Sequence, residues 1–320
     1  MSEASIGAAH VSKCGLVMKP DISRRTLLAA GTALLSASAV AQKLVKPKLK
    51  VAIFSKHLQF VPDADGLAQA AAEIGFDAID LTVRKSGHVE PERVRQDLPG
   101  MVAAIRKRGL DVPMITTDIV DIETPYAEEI LETMADLGIR NYRWGGFKYT
   151  TDRPYAGQLD RMKVRIAKLA AANSRYQACA MYHTHSGTGV VGASIWDLYL
   201  LLKDFDPHAV GVNYDVGHAT VEGGVGGWIN SFRIAGPYVR GVAIKDFLWG
   251  QDSKGAWQPQ WKPLGEGMVH FPQFFAMVAS SDFAGPLQLH FEYPLPRDQA
   301  FSAMKRDLGR VRAWLARANS

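Results

Sequence analysis

Histidines, carboxylates and one lysine recur in this chain directly after short apolar runs, where a strand would end. Tyr182-His183-Thr184-His185-Ser186-Gly187 closes one run, Asn213-Tyr214-Asp215-Val216-Gly217-His218 a second and Ala243-Ile244-Lys245-Asp246 a third. His290-Phe291-Glu292-Tyr293 closes a fourth, while Lys56-His57 and a loop holding His88 follow two earlier runs. Singly, His57 and His88 read as hydrogen-bonded surface histidines, and an Asp near Gly reads as turn chemistry. The set reads differently. Imidazoles, two carboxylates and a lysine at consecutive strand ends would converge on one mouth and perturb each other's pKa values. His183 and His185 alternate along an extended chain, so they point to one side. Asp215 and Glu292 meet only if the strands close on themselves, and like carboxylates held close repel unless a cation lies between them. A divalent metal is the expectation.

The elements that must position these groups are legible as a repeat. Strand candidates are Leu49–Phe54, Ala78–Thr82, Val112–Thr116, Asn141–Trp144, Ala178–His183, Val210–Asp215, Val239–Lys245 and Leu287–Glu292. Helical patterns fill the gaps at Asp65–Ile74, Glu92–Arg108, Tyr126–Leu137, Gly157–Asn173, Ser194–Asp204, Trp228–Ala235 and Phe271–Ala279, with Gln299–Ala316 after the last strand. Gly75, Gly109 and Gly138 each fall where a helix should stop in a left-handed residue. Eight strand–helix units about 30–35 residues apart predict a (β/α)₈ TIM barrel in a single domain, residues 42–320. A doubly wound open sheet would show a Gly-rich phosphate turn after its first strand, and Phe54-Ser55-Lys56-His57 is not one.

Of the 320 residues, 47% are hydrophobic and 22% charged, which excludes disorder, collagen and coiled coil. Residues 1–41 read as a twin-arginine signal peptide: Ser23-Arg24-Arg25-Thr26-Leu27-Leu28, an uncharged run to Gln42, and the small-x-small cleavage site Ala39-Val40-Ala41. The run is too short and too rich in Ala, Ser and Gly for a membrane anchor. The expected location is therefore the periplasm, with no membrane association after cleavage. The segment carries four basic and two acidic residues, so +2 of the net +5 leaves with it and +3 remains, too little for a nucleic-acid surface. Cys14 and Cys179 are the two cysteines, which excludes a disulfide scaffold and a thiolate zinc site.

The segments Tyr182–Gly187, Asp215-Val216-Gly217-His218, Ile244-Lys245-Asp246, Pro263-Leu264-Gly265-Glu266-Gly267 and Phe291-Glu292-Tyr293 together resemble the sugar-phosphate isomerase/epimerase family with a xylose-isomerase-like barrel. The likeness spans residues 49–316 and is strongest to the inosose-dehydratase-like branch. It implies a single divalent ion, Mn²⁺ first and Zn²⁺, Fe²⁺, Co²⁺ or Mg²⁺ after it, held by Glu, Asp, His and Glu from the fifth to eighth strands. Asp215 and Glu292 match the second and fourth of these. His183 stands where the first Glu is expected, and Ala243 where the His is expected. His185 or His218 would have to complete the sphere.

The resemblance also implies chemistry: proton abstraction beside a carbonyl, or loss of water from such a position, on a sugar or polyol. Glu292 is then the proton-moving carboxylate, with His183 as a second acid–base group. Lys245 either polarises a substrate oxygen or anion, or forms an ion pair with a neighbouring acid. His218, His185, His88 and Trp249 are the expected substrate contacts. Trp144, Trp257 and Trp261 either stack on sugar faces or pack long loops. Two rival functions stand beside this one. A periplasmic carbohydrate-binding barrel with a degraded metal site would account for Ala243. An abasic-site-endonuclease-like phosphodiesterase would need more strand-end histidines and a basic surface. The expected partner is a small-molecule sugar, with a homo-oligomer possible and no nucleic acid.

Overall fold

Most of the strands are buried at every position, whereas the helices bury a single stripe. Strands covered on both faces and helices covered on one are what a parallel barrel wrapped in helices requires. The computed structural model describes residues 48–320. Its ten strands are β1 (Val51–Phe54), β2 (Ala78–Thr82), β3 (Asp111–Thr116), β4 (Asn141–Trp144), β5 (Cys179–His183), β6 (Val210–Asp215), β7 (Val239–Ile244), β8 (Asp246–Gln251), β9 (Trp257–Lys262) and β10 (Leu287–Leu289). Eight close a parallel barrel in the order β1-β10-β7-β6-β5-β4-β3-β2, and β8 and β9 form a separate antiparallel hairpin. The helices are α1 (Ala64–Ile74), α2 (Val94–Lys107), α3 (Ala127–Asp136), α4 (Tyr155–Tyr176), α5 (Ile195–Leu202), α6 (Val216–Ala235), α7 (Phe271–Ser280) and α8 (Ala300–Ala318). The barrel is thus the fold expected. The signal-peptide reading lies outside the described residues.

Three departures from the sequence reading have physical causes. The loop after β7 is not a coil: β8 and β9 pair from Asp246–Lys262 to Gln251–Trp257, so Trp249, Trp257 and Trp261 sit on strands. The helix expected at Trp228 begins at Val216, because Asp215 caps it by accepting the His218 amide at 2.9 Å. Glycine-rich sequence hides that start, and the helix is interrupted at Gly224, whose φ is 54°. The last strand stops at Leu289, so His290 and Glu292 lie on the chain that leaves the barrel. Gly75 ends α1 with φ 101°, and Gly109 and Gly138 also take positive φ, as their positions predicted.

Candidate active site

Four neighbouring strands bring their C-terminal ends together. His183 ends β5, Asp215 ends β6, Lys245 follows β7 and His290 follows β10; all four are buried. Among the described residues, ligand atoms of His183, Asp215 and His290 form one group within 4.8 Å of each other that could hold a metal. His183 Nε2 lies 3.5 Å from Asp215 Oδ2, and Lys245 Nζ lies 3.1 Å from the same oxygen. The Lys245 contact is ionic, outside hydrogen-bond geometry, so Asp215 Oδ2 and His290 Nε2 are both enclosed without a hydrogen-bond partner. Buried polar atoms are normally satisfied. Two unsatisfied ones beside a third donor are the arrangement that a divalent ion would complete.

The tautomers follow from the partners. The Lys245 ammonium can only donate, so His218 Nε2 accepts from it at 2.7 Å and His218 Nδ1–H donates to Ser186 Oγ at 2.7 Å. His185 Nδ1–H donates to the His183 carbonyl at 3.0 Å, which leaves His185 Nε2 as a lone-pair nitrogen. Behind His183, Asn213 Nδ2 lies 3.0 Å from its Nδ1 and 2.7 Å from Gln288 Oε1, while Asn213 Oδ1 and Gln288 Nε2 have no partner. Turning both amides end for end keeps both contacts and makes Asn213 Oδ1 the acceptor of His183 Nδ1–H. His183 Nε2 then carries the lone pair that metal ligation requires.

Burial pushes the His218 pKa down to about 3 and that of His185 to about 4, and His183 and His290 fall well below the usual imidazole range for the same reason. These rings are neutral at pH 7 and can act as ligands or bases. Burial would raise Asp215, but Lys245 foremost, then His218 and His183, hold its carboxyl well below the ordinary range. Burial likewise opposes ionisation of Glu292, and Lys245, Lys56 and His57 overcome it.

Not every expected group joins the cluster. The Glu292 carboxylate contacts Lys56 Nζ at 3.4 Å and stands 4.0 Å from His290 Nδ1, outside the His183–Asp215–His290 group. Each carboxylate has its own lysine, so the repulsion that predicted a shared cation is relieved separately at each. The ion-pair reading of Lys245 is the one its geometry displays. His88 is used locally: its Nδ1 meets Thr82 Oγ1 at 3.0 Å and its Nε2 meets the Val61 carbonyl at 3.2 Å. Trp249 is 41% exposed on the hairpin, and Trp261 is the hairpin tryptophan beside Lys245 and His218. Lys245 Nζ lies 4.4 Å from the Trp261 ring centroid, and the His218 ring 5.1 Å.

His290 is the residue that sequence reasoning passed over, although its i, i+2 spacing from Glu292 repeats that of His183 and His185. The Leu-Gly-Glu-Gly segment proves structural: Asp246 accepts from the amides of Phe247, Gly265, Gly267 and Val269 at 2.8–3.1 Å, pinning the chain after the hairpin. A Cβ on Gly267 would collide with that carboxylate. Arg143 was also missed. It sits on β4, its Nε is enclosed without a partner, and its charge depresses both His183 and His185.

A family model described as the xylose isomerase-like TIM barrel matches residues 68–316. The chain belongs to that family. Among solved structures, this family member is similar to a xylose isomerase-like TIM barrel protein from Mycobacterium smegmatis in complex with magnesium, at 18% identity and TM-score 0.64 over 85% of this chain and 98% of that one. It is similar to the probable 3-DHS dehydratase AsbF of petrobactin synthesis from Bacillus anthracis, at 16% identity and TM-score 0.63 over 82% and 99%. It is also similar to 3-keto-D-glucoside 4-epimerase, YcjR, from E. coli, at 16% identity and TM-score 0.61 over 83% and 100%. At these identities the likeness is one of fold. No curated protein matches the sequence. Among the described residues, no helix is long and apolar enough to cross a membrane.

Proposed function

We propose that this chain is a sugar isomerase- or epimerase-like enzyme, with dehydration as the related outcome, that removes a proton from a carbon beside a carbonyl. The observation that carries the reading is the group of His183, Asp215 and His290 at the barrel mouth, with two of its ligand atoms unpartnered. The epimerase and dehydratase activities of proteins with the same fold support it. A divalent ion held by the three residues, Mn²⁺ first, would polarise carbonyl and hydroxyl oxygens of a bound sugar. Glu292 is ionised at neutral pH and moves the proton. His185, neutral with a free Nε2, is the second group able to accept one. Lys245 keeps Asp215 charged and fixes His218, while Trp261 offers an apolar wall. The proposal places the reaction outside the cytoplasm, on the strength of Arg24-Arg25 and Ala39-Val40-Ala41. N-terminal sequencing of the native protein should then begin near Gln42.

The test is exchange of substrate C–H hydrogen with deuterated water, run with Mn²⁺-loaded protein over keto-sugars and inososes. Exchange on at least one compound, lost in Glu292→Gln, is expected. Turnover with no exchange and a fully active Glu292→Gln would refute the assignment.

A further inference from the structure

We infer that the barrel mouth is built for a sugar carrying an oxyanion, a carboxylate or a phosphate, which Arg143 grips from the β4 side. The inference rests on the reading of this mouth as a sugar site and names the class of sugar. Arg143 lies opposite Thr116 of β3 and Met181 of β5, two residues before His183 along that neighbouring strand. Its Nε is enclosed with no hydrogen-bond partner, and among the described residues its guanidinium makes no hydrogen bond or ion pair. Of the three carboxylates whose charge reaches it, Asp80 and Glu292 are otherwise engaged and Asp118 is exposed to solvent. Asp80 accepts from Thr116 Oγ1 at 2.8 and 3.0 Å, and Glu292 faces Lys56 at 3.4 Å.

A second guanidinium stands in the same place. Arg84 lies 5.6 Å and Arg143 6.0 Å from the centroid of the Phe54 ring. Contact with an aromatic face at the far limit of range does not replace the lost hydration of a half-buried cation. The charges of the mouth make the same point. Lys245 is matched by Asp215 and Lys56 by Glu292, while burial pushes Asp80 up to about 7 and so weakens it as a counterion. Against Arg143 and Arg84 stands the solvent-exposed Asp118, so an excess of positive charge remains beside His183 and His185. A planar guanidinium whose terminal nitrogens carry no partner matches a carboxylate or phosphate in a two-bond fork.

The test is calorimetric binding of D-fructose, D-fructuronate and D-fructose 6-phosphate to the wild type, Arg143→Gln and Arg143→Lys. At least one anionic sugar should bind tenfold or more tighter than fructose, and which one wins identifies the anion. Arg143→Gln should erase that preference and Arg143→Lys should retain part of it, without the two-bond geometry. Because Arg143→Gln removes a half-buried charge that has no ion pair, its Tm should equal or exceed the parent's. Equal affinity for fructose and both anions, no anionic binding below about 10 mM, or an intact preference in Arg143→Gln would overturn the inference. The parent reading fails separately: exchange on fructose without anion preference leaves proton abstraction standing, and anion preference without any exchange does the reverse.

Discussion

Removing both members of the Lys245–Asp215 pair should cost clearly less stability than the two single removals summed. Their side chains are 5% and 0% exposed, with Nζ 3.1 Å from Oδ2. At an effective dielectric of about 20, unit charges so placed attract by about 5 kcal/mol, and most of this offsets the dehydration of two ions. Lys245→Met strands a fully buried carboxylate whose remaining partners are the His218 amide at 2.9 Å and a neutral His183 at 3.5 Å, so a loss of about 3–5 kcal/mol is expected. Asp215→Asn strands the ammonium against His218 at 2.7 Å and should cost about as much, although the Asn oxygen still caps α6. The double variant strands no charge and should fall short of the summed losses by about 2–3 kcal/mol. Urea unfolding in EDTA, read as the midpoint at constant slope, measures all four corners of the cycle. A second signature is pH. The folded pKa of Asp215 is depressed, so in the wild type its contribution is present above the unfolded carboxyl pKa and persists far into acid. In Lys245→Met the stranded carboxylate can take up a proton, so the penalty should shrink towards pH 4. Additive losses, or single losses below about 1 kcal/mol, would refute the claim that the two charges are one desolvated unit.

Asp80→Asn should stabilise the protein at pH 8 and change little at pH 4. Burial raises the folded pKa from 3.8 to about 7, so the group's contribution is complete below the unfolded value and is lost as pH rises through 7; thermal melts across that window check it, with about 4 kcal/mol as the ceiling. His290→Ala should weaken Mn²⁺ binding at least tenfold and Glu292→Gln should weaken it less, because His290 and not Glu292 belongs to the compact ligand group; titration followed by elemental analysis decides. Asp246→Ala strips four backbone amides of their acceptor and should lower stability by about 2–4 kcal/mol, measurable by urea unfolding, with hydrogen exchange rising first around Gly265–Val269.

The barrel was legible because its determinants are local. Runs such as Ala78–Thr82 and Val210–Asp215 are apolar enough to be strands buried on both faces, and Gly75, Gly109 and Gly138 mark helix ends by a backbone requirement visible in one letter. His183, Asp215 and Lys245 were legible because strand ends of a barrel share one mouth. What sequence could not show depends on which of two nearby groups a fold turns inward. His290 and Glu292 stand two residues apart, and the early end of β10 decides that the imidazole enters the cluster while the carboxylate meets Lys56. The hairpin was hidden because Trp249, Trp257 and Trp261 lie half in water, without clean alternation of apolar and polar residues. Arg143 was hidden for a different reason: a charged residue inside a strand reads as an exception until its neighbours are known.

Those exceptions bear on the rival reading of a carbohydrate-binding barrel with a degraded site. A site released from selection for chemistry should drift towards satisfied contacts, since each enclosed unpartnered polar group costs about 1–3 kcal/mol and any apolar replacement removes the cost. Ala243 is such a replacement, an apolar residue where the family resemblance expects an imidazole. Around it the opposite holds. Asp215 Oδ2, His290 Nε2 and Arg143 Nε are enclosed and unpartnered on or just after β6, β10 and β4, and Arg240 Nε near the start of β7 shares that condition. Two such atoms inside one compact group of possible metal ligands, Asp215 Oδ2 and His290 Nε2, are what a retained site for a cation and a polar ligand requires. Under the proposed function, the imidazole lost at Ala243 on β7 is made good by His290, on the chain after the adjacent strand β10.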